Sequence, residues 1–390
     1  MRLLLFWGAL ALVIYAYLIF PLLVLLRGVI WRQRYHSAPI TPTVSLIIAA
    51  YNEAHSIRAK LENVLAMNYP HARLEVLVAS DGSHDGTNEI VQEYADRGIR
   101  LLALPRQGKA AALNTAVAIA TGDILVFSDA NSMYVPDAIH ALARPFADPT
   151  VGGVAGNQCY IKQKYKRVTN AGEHSYWNFD RKLKELQSEA GNAISATGAI
   201  YAIRRSLFQP APAGVTDDFT ISTGVIAQGY RLVFAPDAIA YEEVAASSRT
   251  EFGRKVRVMT RGLRAVVWRR ELLNPFRYGF YSLQLFSHKV VRRLVVLPLL
   301  VLLLVSPLLW SMGPFYQLAT LAQAAFYSCG AIGVWLGDSR LGKQKIFALP
   351  AFFCMVNAAA LLATMNLVRG HRIERWEPQR PDVQTKTTAL

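Results

Sequence analysis

Cysteine is scarce in this chain. Cys159, Cys329 and Cys354 are the only three in 390 residues. They form no C-x-x-C pair and no metal-ligand spacing, so they read as packing residues in a reducing compartment, and a disulfide-stapled domain is excluded. Both Gly-rich phosphate cradles are absent too. The dinucleotide fingerprint G-x-G-x-x-G would follow the first strand, where "AAYNEAH" has no glycine; of the P-loop only Gly108 and Lys109 stand in "ALPRQGKA", with Ala110 where a hydroxyl belongs. A nucleotide here has to be held by acids and a metal instead. Acidic residues are few, 27 against 42 Lys and Arg, for a formal charge of +15. That charge lacks the aromatic interleaving of a nucleic-acid module. It gathers beside apolar stretches, at Arg27, Arg32 and Arg34, from Arg254 through Arg293, and from Arg340 to Lys345. A positive-inside membrane protein explains that placement, and no nucleic-acid partner is expected.

Between about 43 and 270 there is no apolar run long enough to cross a bilayer, whereas residues 3 to 26 hold no charge at all. Roughly 20 apolar residues span the hydrocarbon core as helix, and the run ends in arginines rather than at a small-residue cleavage site, so it reads as an uncleaved anchor. Three further stretches are expected to span, at about 294 to 312, 315 to 336 and 346 to 367. The expected organisation is an anchor (1–34), a cytosolic domain (43–270), an interfacial segment (271–293), a C-terminal transmembrane region (294–367) and a basic tail (368–390). The protein is thus expected to be integral to the plasma or inner membrane. One span before the domain and three after it would leave the tail outside, at odds with Arg369, Arg372, Arg375 and Arg380. Either one late segment is re-entrant or interfacial, or the tail is an exception.

Within 43–270 the apolar pattern alternates. "VSLIIAA", "EVLVAS", "RLLAL" and "DILVFS" read as buried strands, and between them "YNEAHSIRAKLENVLAM", "GTNEIVQEYADRG" and "GKAAALNTAVAIATG" read as helices. Such alternation predicts a parallel, doubly wound sheet, whose ligands bind at the carboxyl ends of the strands. That position selects Tyr51, Asn52 and Glu53 after the first strand, Asp81 after the second and Asp129 after the fourth. Asp and Asn at strand ends are also ordinary turn formers, but three acidic ends in one unit favour a crevice. In "TDDF", Thr216 reads as an N-cap, with Asp217 and Asp218 at the positive end of the helix dipole.

Five stretches, "VSLIIAAYNEAHSI", "VLVASDGSHDGT", "GKAAALNTAVAIATGDILVFSDANS", "GVTDDFTISTGVIAQGY" and "FGRKVRVMTRG", resemble in order the membrane-bound family 2 inverting glycosyltransferases, the branch of the cellulose, hyaluronan and poly-N-acetylglucosamine synthases. The resemblance implies a GT-A fold, an α/β Rossmann-like domain flanked by transmembrane helices. It implies that Ala50, Tyr51 and Glu53 border the base and ribose of a nucleotide sugar, a UDP-sugar being expected. Asp81 would bond the uracil or ribose, and Lys109 would lie near the diphosphate. Asp129 matches the first acid of the family's Asp-x-Asp metal motif, which holds Mg²⁺ or Mn²⁺, and Asn131 stands where the second acid belongs. Asp218 matches the general base of the Thr-Glu-Asp motif, with Asp217 in place of its Glu. An amide oxygen can ligate a hard cation, but with less attraction than a carboxylate. Tight metal binding is therefore expected only with the nucleotide present.

The basic motif departs from the family. "RKVRV" keeps Arg254 and Arg257, one helical turn apart and able to grip a diphosphate or, beside the membrane stretch, lipid headgroups, but lacks the Gln and the Trp of Gln-x-x-Arg-Trp. The missing indole removes a sugar-stacking platform. His288, among Lys289, Arg292 and Arg293, reads as interfacial rather than as a ligand, and Trp376 in "RIERWEPQR" resembles the Trp-Pro-Arg ending of membrane members. The expected product is a cell-surface polysaccharide or a lipid-linked glycan, made beside partner subunits of a synthesis or export complex. The alternatives are a non-processive glycolipid-forming transferase and a weakened transferase-like scaffold. A transporter would need polar residues in its spans, and the late segments offer little beyond Asn357.

Overall fold

The computed structural model describes residues 1–161, 181–243, 248–337, 339–342 and 344–371. Trp376 and most of the basic tail lie outside the described residues. The strands are β1 (Val44–Ala50), β2 (Leu74–Asp81), β3 (Ile99–Leu104), β4 (Ile124–Asp129), β5 (Met133–Tyr134), β6 (Val151–Ile161), β7 (Tyr201–Arg204) and β8 (Arg231–Glu243). They form one sheet in the order β3-β2-β1-β4-β7-β6-β8-β5. The first four are parallel, as the alternation with helices predicts. Beyond β4 the sheet is mixed: β7 runs antiparallel to both β4 and β6, while β6 and β8 are parallel. A wholly parallel sheet is therefore not what forms.

The strands read as continuous apolar runs because both faces are covered. Leu46, Ile48, Val76, Val78 and Val126 face one core, and Ile47, Leu77, Ala79, Leu125 and Phe127 face the other. The pleat alternates neighbours between them. On one side lies the helix Ala54–Leu65 with Ile57, Leu61 and Val64; on the other the helix Lys109–Ile119 with Ala112, Leu113 and Ala116. Because β2 and β4 flank β1 in register, with Ala49 opposite Ala79 and Asp129, the carboxyl ends of these strands emerge together. Asn52, just past β1, holds a positive φ of 52°, a conformation Asn tolerates better than most residues. Its Oδ1 accepts from the His84 amide (3.0 Å), while the Ala54 amide donates to Asp85 (3.0 Å), tying the turn after β1 to the loop after β2.

Among the described residues three helices are long and apolar enough to cross a membrane: Arg2–Ile30, Pro314–Leu336 and Lys345–Val368. The stretch at 294–312, expected as a fourth, is divided into the helix Val296–Val305 and a 3₁₀ segment Pro307–Met312. Pro307 supplies no amide to continue the α pattern. The ten-residue helix is about 15 Å long, half the thickness of a hydrocarbon core. Its Leu302 and Val305, with Leu309, pack on Phe6 and Ala9 of the N-terminal helix.

Candidate functional site

At the end of β2, Asp81 is buried, 3% exposed. Its carboxylate accepts from the amides of Gln107 (2.7 Å) and Gly108 (2.9 Å) and forms an ion pair with Arg106. The Arg106 guanidinium in turn lies 3.3 Å from the centroid of the Tyr51 ring, within the range of a cation–π contact. Tyr51 and Asp81 thus meet around a third residue that the motif reading passed over, although it stands in the quoted "ALPRQGKA". Glu53 is buried at the N-terminus of the helix Ala54–Leu65, where its Oε2 accepts from Ser56 Oγ (2.5 Å). Ala50 is buried as the last residue of β1.

A second cluster gathers at the end of β4. Lys109 begins its helix directly after Gly108, and its Nζ donates to Asp129 Oδ1 (2.5 Å) and lies 3.4 Å from Asp217 Oδ2. Burial works against this ammonium, but Asp129 and Asp217 outweigh it and hold its pKa above the ordinary lysine value. Gly198 lets the backbone approach the pair closely, since a Cβ there would come within 3.0 Å of Lys109 Nζ and 3.1 Å of Asp129 Oδ2. Asp217 and Asp218 open the helix Asp217–Ala227 with Thr216 at the N-cap position. The Thr216 hydroxyl makes no cap bond, however; instead Asp218 Oδ1 accepts from the Phe219 amide (2.7 Å). Two adjacent carboxylates are driven apart. Burial would raise Asp217, but Lys109 and Arg261 more than offset it and keep Asp217 below the usual carboxylate range. Burial and the charge of Asp217 push Asp218 up to about 6.

The turn after Asp129 carries Asn131, half-buried, and then β5, whose pairing with β8 sets Met133 against Tyr241. That pairing brings up a carboxylate missing from the sequence reading, Glu242, which accepts from Ser132 Oγ and from Gln158 Nε2 (2.6 Å). Burial and the charge of Asp129 raise its pKa. Beneath them Lys60 is fully buried, donating to the Ser132 carbonyl (2.5 Å) with its Nζ 3.7 Å from the Tyr134 ring centroid. Burial pulls its ammonium down to about 7, against the opposing pull of Asp129 and Glu242. Among the described residues no three His, Cys, Asp or Glu side chains form a ready-made cage. The oxygen donors present, Asp129 with Asn131 and Glu242 close by, suit a hard divalent cation whose remaining ligands come from a diphosphate. The ammonium drawn to Asp129 shows that the surroundings already favour positive charge there.

On the helix Ser248–Trp268, Arg254 donates through Nε (2.8 Å) and Nη2 (2.7 Å) to Glu251, which Lys255 also meets at 2.8 Å, and it also bonds Tyr160. Arg257, one turn on, is half-buried. His288 is buried, its Nδ1 3.0 Å from Gln187 Nε2.

A mixed sheet whose parallel half ends in acids, with ammonium and carboxylates at the crevice, defines a GT-A glycosyltransferase fold. Residues 45–210 match the family described as Glycosyl transferase family 2. The matched segment includes Asp81, Lys109 and Asp129 and stops before Asp217. Relatives include the "Probable glycosyltransferase YdaM" of Bacillus subtilis, 25% identical over 287 residues, which are 67% of this chain and 66% of that protein. The poly-beta-1,6-N-acetyl-D-glucosamine synthase of Staphylococcus aureus is 27% identical over 205 residues, 51% of this chain and 49% of that one. The chain therefore spans about half to two thirds of the length of these curated relatives. Among solved structures, a mannosyltransferase from Pyrobaculum calidifontis, PcManGT, in complex with GDP-Man and Mn²⁺, superimposes with a TM-score of 0.69 at 24% identity, over 94% of this chain and 100% of that one. At that identity the likeness speaks for the fold.

Proposed function

We propose that this chain is a membrane-bound, inverting glycosyltransferase that moves a sugar from a nucleotide donor, a UDP-sugar, to a polysaccharide or lipid-linked acceptor at the cytosolic face. The observation that carries this reading is the split acid pair: Asp217 held ionised by Lys109 and Arg261, and Asp218 raised to about 6 beside it. A carboxylate with a pKa near the working pH is matched to general-base work. Asp218 takes the proton of the acceptor hydroxyl as that oxygen attacks the anomeric carbon. With one base and one displacement, and no second nucleophile, configuration inverts. Asp81, Tyr51 and Arg106 receive the base and ribose, and the Lys109 ammonium lies toward the departing diphosphate. A divalent cation held by Asp129 and Asn131 would supply further neutralisation of that diphosphate.

Membrane parity favours the same orientation. If the three helices long and apolar enough to cross among the described residues all do so, one before the domain and two after it, the basic tail returns to the side of the domain, in keeping with its arginines. The missing indole beside Arg257 favours short products over long chains. The test is to offer the purified chain in lipid a panel of labelled nucleotide sugars, GDP-mannose included, and follow the label. Label in polymer or lipid supports transfer and identifies the acceptor class. Label released only as free sugar, or not at all, rejects the proposal.

A further inference from the structure

Asp217 and Asp218 do not hold themselves in place. Gly214 turns the chain at a φ of +76°, Thr216 leaves its hydroxyl without a partner in a buried position, and a cavity of about 110 Å³ lies behind the turn, lined in part by Gln107, Asn114 and Gly214. Val215 packs into the core, but no side-chain cap fixes the turn. Lys109 meets Asp217 itself, and Arg261 reaches the turn's backbone. Arg261, 8% exposed on the helix Ser248–Trp268, donates to the Val215 carbonyl through both Nε (3.0 Å) and Nη2 (2.6 Å), and its Nη2 lies 3.8 Å from Asp217 Oδ1. A planar guanidinium can hold a carbonyl with two donors and still face a carboxylate; an ammonium cannot reproduce that fork.

We propose that Arg261 is a positioning residue, a strut from the helix Ser248–Trp268 that fixes the turn delivering Asp217 and Asp218 to the crevice. This rests on the reading of Asp218 as the base. It gives the helix a duty separate from any contact of Arg254 or Arg257 with the donor, because Arg261 is turned to the protein backbone.

Since a misplacement of about 1 Å can cost on the order of 100-fold in rate, Arg261→Gln should lower kcat by about that factor. Donor KM and donor binding should stay within about twofold, because the lost interaction serves the transition state and not donor binding. Arg261→Lys, which keeps the charge and one donor to the carbonyl, should recover about tenfold of the loss. The assay uses the full chain in lipid vesicles, with kcat, donor KM and thermal midpoint measured on each variant. Wild-type kcat in Arg261→Gln overturns the inference, as does a Lys variant no better than Gln, or a loss that falls on KM. Should the Gln variant fail to fold, the Lys variant decides: about a tenfold drop in kcat at unchanged KM is expected, and wild-type kcat overturns the strut. Asp218→Asn run in parallel separates the two readings. Full activity there sinks the base itself, whereas an inactive Asp218→Asn beside a fully active Arg261→Gln sinks the strut alone.

Discussion

The raised pKa of Asp218 should be visible as the acid limb of the pH–rate profile. Burial and the neighbouring Asp217 lift the group from its ordinary 3.8 to about 6, against the opposing pull of Lys109, the Phe219 amide and Lys289. A base works only when ionised, so kcat/KM, which reports the free enzyme, should fall as pH drops through about 6. About nine-tenths of the sites are ionised at pH 7 and about one-tenth at pH 5, a loss of roughly tenfold; a carboxylate of ordinary pKa would lose less than about a tenth over the same range. Asp217→Asn removes the like charge and should move the midpoint downward. The shift also weighs on the fold: a carboxyl whose pKa is raised on folding favours the folded state below its unfolded value, and that advantage is lost as pH rises toward about 6. At roughly 1.4 kcal/mol per pH unit, ionised Asp218 costs on the order of 3 kcal/mol at neutral pH. The assay is initial-rate transfer from pH 4.5 to 8 with the chain in lipid, at donor concentrations below KM. A profile flat down to pH 4.5, or a midpoint unmoved in Asp217→Asn, would show that Asp218 is not the ionising base.

Excess chelator should abolish turnover, and full activity in chelator would remove Asp129 and Asn131 from any metal role. With nucleotide absent, the wild type should bind Mn²⁺ weakly, whereas Asn131→Asp, which adds a carboxylate, should tighten metal binding to the bare protein; calorimetric titration checks both. Lys109→Met leaves Asp129 and Asp217 without the ammonium between them. Breaking this largely buried pair should destabilise the domain by about 3 kcal/mol, the lower end of the range because Asp129 is partly exposed. A thermal midpoint unchanged from wild type would show that the ammonium is not needed there.

The parallel half of the sheet is legible in the sequence because its strands are buried on both faces and punctuated by helices with helical apolar spacing. The same logic finds Asp81 and Asp129, since both end such strands. Beyond β4 the signal fades for a physical reason. β6 is rich in glycine, "VGGVAGNQCYI", a residue that weakens a strand signal, yet a Cβ on Gly153 would sit 2.9 Å from Leu232 Cδ1 and one on Gly156 2.9 Å from the Ala238 carbonyl. There glycine serves the close approach of the paired strand β8. Glu242 is missed along with β8, because only the long-range pairing of β5 and β8 carries it to Ser132. Arg106 and Arg261 lie inside quoted motifs, but their partners, Asp81 and the Val215 carbonyl, are 25 and 46 residues away in sequence. Local pattern has no access to such contacts. At 294–312 hydropathy counts apolar residues and passes over Pro307, which ends the α-helix.

The base role of Asp218 is tested most directly by measuring donor binding and sugar transfer on the same sample of Asp218→Asn. The amide keeps the shape and removes the proton acceptor. Donor affinity should stay within about twofold of wild type while transfer falls by at least about 100-fold, the scale of lost general-base catalysis. Transfer at the wild-type rate would contradict it.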